Sequence, residues 1–64
     1  MKKTIGQKLT ELRGEVSATE LSELSGVHRM TIWRIENDKM NPSIALLERL
    51  ANALGKTLCD LLTQ

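Results

Sequence analysis

Two arginines, Arg29 and Arg34, bracket two large apolar side chains, Met30 and Trp33. An arginine presents a fork of N–H donors that matches O6 and N7 of guanine and also grips phosphate oxygens. On a helix of 3.6 residues per turn, Met30 and Trp33 share a side and Arg34 stands beside Trp33. Ile32 and Ile35 fall on the opposite side. A helix closed by isoleucines inside and basic and apolar outside is built to touch something. The major groove of DNA is wide enough to admit it. There Met30 and Trp33 fit thymine methyl groups, which stand in the groove only at A·T and T·A pairs, while Arg34 or Arg29 reads an adjacent guanine. The plain alternative is Trp33 folded across Met30 as a surface cap.

Other reactive groups are few. His28, the only histidine, opens the same helix. It is either a helix-start residue in water or a phosphate contact that strengthens on protonation. Cys59 is the single cysteine and reads as a small packing group. There is no paired nucleophile and base, no phosphate-cradling glycine loop and no zinc-ligand spacing. The inventory predicts no enzyme, no metal and no cofactor.

The elements that must position these residues are legible as helices. Ile5, Leu9 and Leu12 recur at helical spacing, which predicts a first helix over 4–13, ended by Gly14. Ser17 and Glu20 match a capping box, opening a second helix over about 18–25. Gly26 is a turn residue that takes positive φ without steric cost. Leu21, Val27, Ile32 and Ile35 are apolar where two helices would meet across this hinge, and Ser22 and Ser25 are small where they would cross. The third helix opens at Val27 or His28 and ends near Asn37 and Asp38, types that tolerate a left-handed helix end. Asn41, Pro42 and Ser43 form a loop with Ser43 as N-cap. Ile44, Leu47, Leu50, Ala51 and Leu54 line one face of a fourth helix stopped by Gly55. Thr57 and Asp60 start a short fifth helix with Leu58, Leu61 and Leu62. No strand pattern competes, and there is no repeat, linker or low-complexity segment.

The chain has 64 residues, which predicts a single domain over 1–64 near the lower size limit for unaided folding. With no Phe or Tyr and one Trp, its core must be aliphatic. A lone cysteine suits a reducing, cytoplasmic setting. The start carries no apolar run of a signal peptide, and no stretch has transmembrane length. Net charge is only +1, but Lys2, Lys3, Lys8, Arg29, Arg34 and Lys39 lie at the N-terminus and around the third helix. Glu15, Glu20, Glu23, Glu48 and Asp60 lie elsewhere. A near-neutral total thus hides a basic face, and the face is what a phosphate backbone senses. The bland reading is solvated surface of both signs.

The order and spacing of several short motifs go further. They are Leu12 and Arg13; Leu21 and Ser22; Gly26 and Val27; Thr31 and Ile32; Arg34, Ile35, Glu36 and Asn37; Asn41, Pro42 and Ser43; Leu46 and Leu47; Leu50 and Ala51; Ala53, Leu54 and Gly55; and Asp60, Leu61 and Leu62. Together they resemble the Xre-type, phage-repressor-like helix-turn-helix domains over nearly the whole chain. The resemblance implies an all-α, compact five-helix bundle of the lambda-repressor type, with helices two and three as the helix-turn-helix. It implies phosphate contacts from Thr31 and Asn37, whose alternative role is local capping. It also implies a partly buried ion pair between Glu36 and Arg13, against the alternative of a solvated Glu36. Lys39 and an arm of Lys2 and Lys3 would add long-range attraction; unbound, the arm is a frayed terminus. The chain departs from the family pattern at Ala18, where Gln is usual, in a short loop over 14–16, at Asp38, where Gly is common, and at Trp33.

The resemblance implies a sequence-specific DNA-binding regulator, a repressor, whose helix over 29–37 lies in the major groove. The implied DNA-binding set is His28, Arg29, Met30, Thr31, Trp33, Arg34, Asn37 and Lys39. So small a monomer would bind weakly. A homodimer on a palindrome-like operator is therefore expected, with half-sites roughly 10 bp apart. Leu58, Leu61 and Leu62 form either its contact patch or the closure of the core. The rival reading is a protein-binding module on the same bundle, or an antitoxin with a toxin partner, because fold does not fix function and exposed Met30 and Trp33 also suit a protein groove.

Overall fold

The computed structural model describes residues 3–62. Five helices follow in order: α1 (Ile5–Arg13), α2 (Ala18–Ser25), α3 (Arg29–Glu36), α4 (Ile44–Ala53) and α5 (Leu58–Leu62). Among the described residues there is no strand. Each start has a chemical cause. Thr4 caps α1 in a reciprocal box with Gln7, a signal the sequence reading passed over. Ser17 and Glu20 form the expected box at α2, and Ser43 caps α4. At α5 the Thr57 backbone N–H donates to Asp60 Oδ2 at 2.9 Å and the Asp60 N–H donates back to Thr57 Oγ1 at 3.3 Å. That backbone bond, then the Thr57 hydroxyl, holds the Asp60 carboxyl below the usual carboxylate range. Replacing Ser17 by Ala should cost about 1 kcal/mol, since a first-turn N–H loses its acceptor. Chemical denaturation reads this as a lower midpoint with an unchanged slope.

The core is aliphatic, as expected. Leu9 of α1, Leu21 of α2, Val27 of the turn, Ile32 and Ile35 of α3, Leu47, Leu50 and Ala51 of α4, and Leu61 of α5 form one buried cluster. α3 packs on α1 and α2, while α4 packs on α2 and α5, and α1 also meets α5. Two expected core positions are corrected. Ile44 is 55% exposed, because it sits in the first turn at the rim of the α4 apolar stripe. Leu58, Leu61 and Leu62 do not act as a unit. Leu61 is fully buried and Leu58 packs partly against the core, which turns Leu62 outward.

The turn between α2 and α3 is short and tied down. Gly26 takes φ 76°, the left-handed conformation, and its N–H donates to the Ser22 carbonyl. Ser25 Oγ donates to the Leu21 carbonyl at 2.6 Å and accepts from the Val27 N–H at 3.2 Å. The Ser25 side chain therefore serves the turn's backbone. Buried Val27 then locks it onto the core. This fixes the angle at which α3 leaves α2, the quantity that decides where α3 points.

Candidate nucleic-acid interface

α3 has a closed side and an open side. Ile32 and Ile35 are buried, while Arg29, Met30, Trp33 and Arg34 are exposed, with Met30 at 49% and Trp33 at 51%. Trp33 thus leaves half its surface in water, in a chain with no Phe, Tyr or second Trp. Thr31 is half-buried at the edge of the open side, next to the core stripe. Among the described residues, ion pairs join Lys3 with Glu11, Lys8 with Glu11 and Arg13 with Glu36. Arg29, Arg34 and Lys39 enter none of them. Their charge is left on the surface around α3.

The ends of α3 are held by residues expected at the interface. His28 is its N-cap, with Nδ1 accepting the Met30 N–H at 3.0 Å. That nitrogen is therefore unprotonated, and Nε2–H is the donor left for an outside acceptor. At the other end, Asn37 Nδ2 donates to the Trp33 carbonyl at 2.8 Å. The Asp38 N–H donates to Ile35 O and the Lys39 N–H to Arg34 O at 2.7 Å, with Asp38 at φ 57°. This is a Schellman ending with an aspartate in the left-handed position. Asn37 thus does the local capping weighed for it and keeps a second amide N–H to spare, while His28, read as a helix-start residue, caps α3 and keeps Nε2–H. Lys39 is exposed just beyond the motif.

Arg13 and Glu36 hold α3 against the rest of the bundle. Arg13 Nε donates to Glu36 Oε2 at 2.8 Å and Nη2 to Oε1 at 3.0 Å, a two-point fork. The third guanidinium nitrogen, Nη1, donates to the Val16 carbonyl at 3.0 Å. One side chain thus joins α1, the short loop before α2 and the last turn of α3. Glu36 is spent on structure, and its negative charge is cancelled before it could meet a phosphate.

The basic arm is drawn differently from the expectation. Lys2 lies outside the described residues. Lys3 pairs with Glu11 of α1, and that hydrogen bond, then its charge, holds the Glu11 carboxyl below its ordinary range. Lys3 is therefore turned onto α1, the helix that follows it.

One site residue escaped the sequence reading. Ala18, the first residue of α2, lines an open cleft of about 410 Å³ together with Arg29, Met30 and Trp33 of α3. The available signal was its departure from the family pattern, a short side chain where a long one is usual. Among the described residues, no three His, Cys, Asp or Glu side chains are grouped to hold a metal, and no helix is long and apolar enough to cross a membrane.

A helix-turn-helix family profile matches residues 9–61. The chain is 39% identical over 54 residues to the immunity repressor protein of Bacillus phage phi105, covering 81% of this chain and 38% of that protein. It is 33% identical over 61 residues to the HTH-type transcriptional regulator PuuR of Escherichia coli (strain K12), covering 92% of this chain and 33% of the relative. A protein of Methanothermobacter thermautotrophicus named as an uncharacterized HTH-type transcriptional regulator is 42% identical over 50 residues, 75% of this chain and 72% of its own length. The chain spans between 33% and 38% of the length of the first two relatives. The capped, glycine-hinged α2–α3 pair, its buried Leu21, Val27, Ile32 and Ile35, and these matches lead to one conclusion: the chain belongs to the Xre/Cro-type helix-turn-helix family.

Proposed function

We propose that this chain binds operator DNA sequence-specifically and represses transcription, with α3 in the major groove. The observation that carries this reading is the open face of α3. It bears Arg29 and Arg34 outside every ion pair of the described residues, beside half-exposed Met30 and Trp33. Relatives named as an immunity repressor and as transcriptional regulators support it. Arg34 and Arg29 take base edges or phosphates. Thr31, Lys39, the free N–H of Asn37 and Nε2–H of His28 donate to phosphates along the groove.

In this reading the protein works as a cytoplasmic homodimer. The domain measures 31 × 23 × 23 Å. Two copies side by side therefore suit half-sites one helical turn apart, about 34–36 Å. With Leu61 in the core, exposed Leu62 is what remains of the C-terminal contact patch.

Titration against a selected operator at several salt concentrations tests the proposal. Affinity should fall log-linearly with salt, by a slope near 0.9 per phosphate contact. Arg34→Ala should weaken operator binding roughly 5- to 100-fold. Two protomers should load per full operator. A protein-binding module, including an antitoxin that acts only on a toxin, would show no saturable DNA binding at low salt. A single protomer per operator at saturation would overturn the dimer alone.

A further inference from the structure

The cleft between the start of α2 and the open face of α3 is lined by three apolar side chains, Ala18, Met30 and Trp33, and one cation, Arg29. It exists because residue 18 is short, so a longer side chain there would fill it. The edges of bases in the major groove carry one apolar group, the C5-methyl of thymine; their other features are donors and acceptors. Arg29 donates only, so it repels the amino groups of adenine and cytosine and favours guanine O6 and N7. The apolar walls and Arg29 border the same cleft. A methyl and a guanine edge held there must therefore belong to neighbouring bases.

We infer that this cleft is a binding site for pyrimidine C5-methyl groups, of thymine and 5-methylcytosine alike, with Arg29 on a neighbouring guanine. The inference rests on the DNA-binding reading and adds to it a sensitivity to cytosine methylation. The apolar walls touch the substituent on C5. Being apolar, they offer no hydrogen bond that would tell apart the groups at ring position 4, where thymine carries oxygen and cytosine an amino group. The methyl is therefore recognised whichever pyrimidine carries it. The cleft is open to solvent along α3, so a base edge enters with its methyl leading. Trp33 and Met30 lose their exposed surface against it, which gives a half-exposed tryptophan an occupant.

The experiment starts from operators selected out of a random DNA pool. Each thymine is replaced singly by uracil, which deletes only the methyl. At the thymine that responds, cytosine and 5-methylcytosine, each paired with guanine, are then compared. The wild-type protein should lose roughly 5- to 100-fold at one thymine or more per half-site. It should bind the 5-methylcytosine operator more tightly than the cytosine one. Trp33→Ala should bind thymine and uracil operators equally, and Ala18→Gln should blunt the difference. Circular dichroism establishes that both variants are folded. Selective operator binding that ignores every uracil overturns this inference and leaves the DNA-binding reading standing. Equal methyl sensitivity in folded Trp33→Ala and wild type also overturns it. Failure to select any operator overturns both.

Discussion

Gly6→Ala is expected to lower the melting temperature by roughly 10–20 °C, a loss of about 2–3 kcal/mol in a domain of this size. Helix propensity alone gives the opposite sign, because alanine is better than glycine in a helix interior by about 1 kcal/mol. Packing reverses it. A Cβ on Gly6 would stand 2.4 Å from the Ile35 carbonyl oxygen and 2.7 Å from that of Glu36, with Asp38 Oδ1 at 2.9 Å. The first two atoms are backbone and cannot rotate away. Relief requires α1 and the end of α3 to separate, which opens the core around Leu9, Ile32 and Ile35. It also tilts the helix proposed to enter the groove, so operator affinity should fall with stability. Thermal melts followed by circular dichroism measure the first effect and operator titration the second. A melting temperature within about two degrees of wild type would show that α1 shifts at no cost.

That glycine marks the limit of what sequence conveys here. The helices were readable because their causes are local. Ser17 and Glu20 form a box over three residues, Gly26 takes the left-handed turn, and leucines recur at helical spacing. The helix-turn-helix core was readable because Leu21, Val27, Ile32 and Ile35 sit close in sequence. Gly6 against Ile35 and Glu36 is a contact across nearly thirty residues, and a glycine carries no pattern that announces it. Ile44 was misplaced for a related reason. Periodicity finds a stripe but not where the neighbouring helices stop covering it. The exposed face of α3 was legible by subtraction, once Ile32 and Ile35 were assigned inward. The cleft was not, because its far wall, Ala18, belongs to another helix.

Glu36→Ala is expected to cost about 2–3 kcal/mol, far more than a surface substitution. The Glu36 side chain is 9% exposed and the Arg13 side chain 20%, so water screens the pair poorly. Removing the carboxylate leaves Arg13 with two donors unmatched and only the Val16 carbonyl to hold. The fork itself need not be strongly favourable, because desolvating both charges offsets much of their attraction. Two variants separate these effects. Glu36→Ala alone carries the full penalty of an unpaired guanidinium. Arg13→Met combined with Glu36→Leu removes both charges and keeps the volume, so it should regain most of the lost stability. Urea denaturation measures both. The double variant should nevertheless bind operator more weakly than wild type. Arg13 fixes the distances among α1, the loop at Val16 and the last turn of α3, and an apolar pair packs without a preferred direction. If Glu36→Ala melts like wild type, the pair contributes nothing. If the double variant binds operator as tightly as wild type, the core alone aims α3.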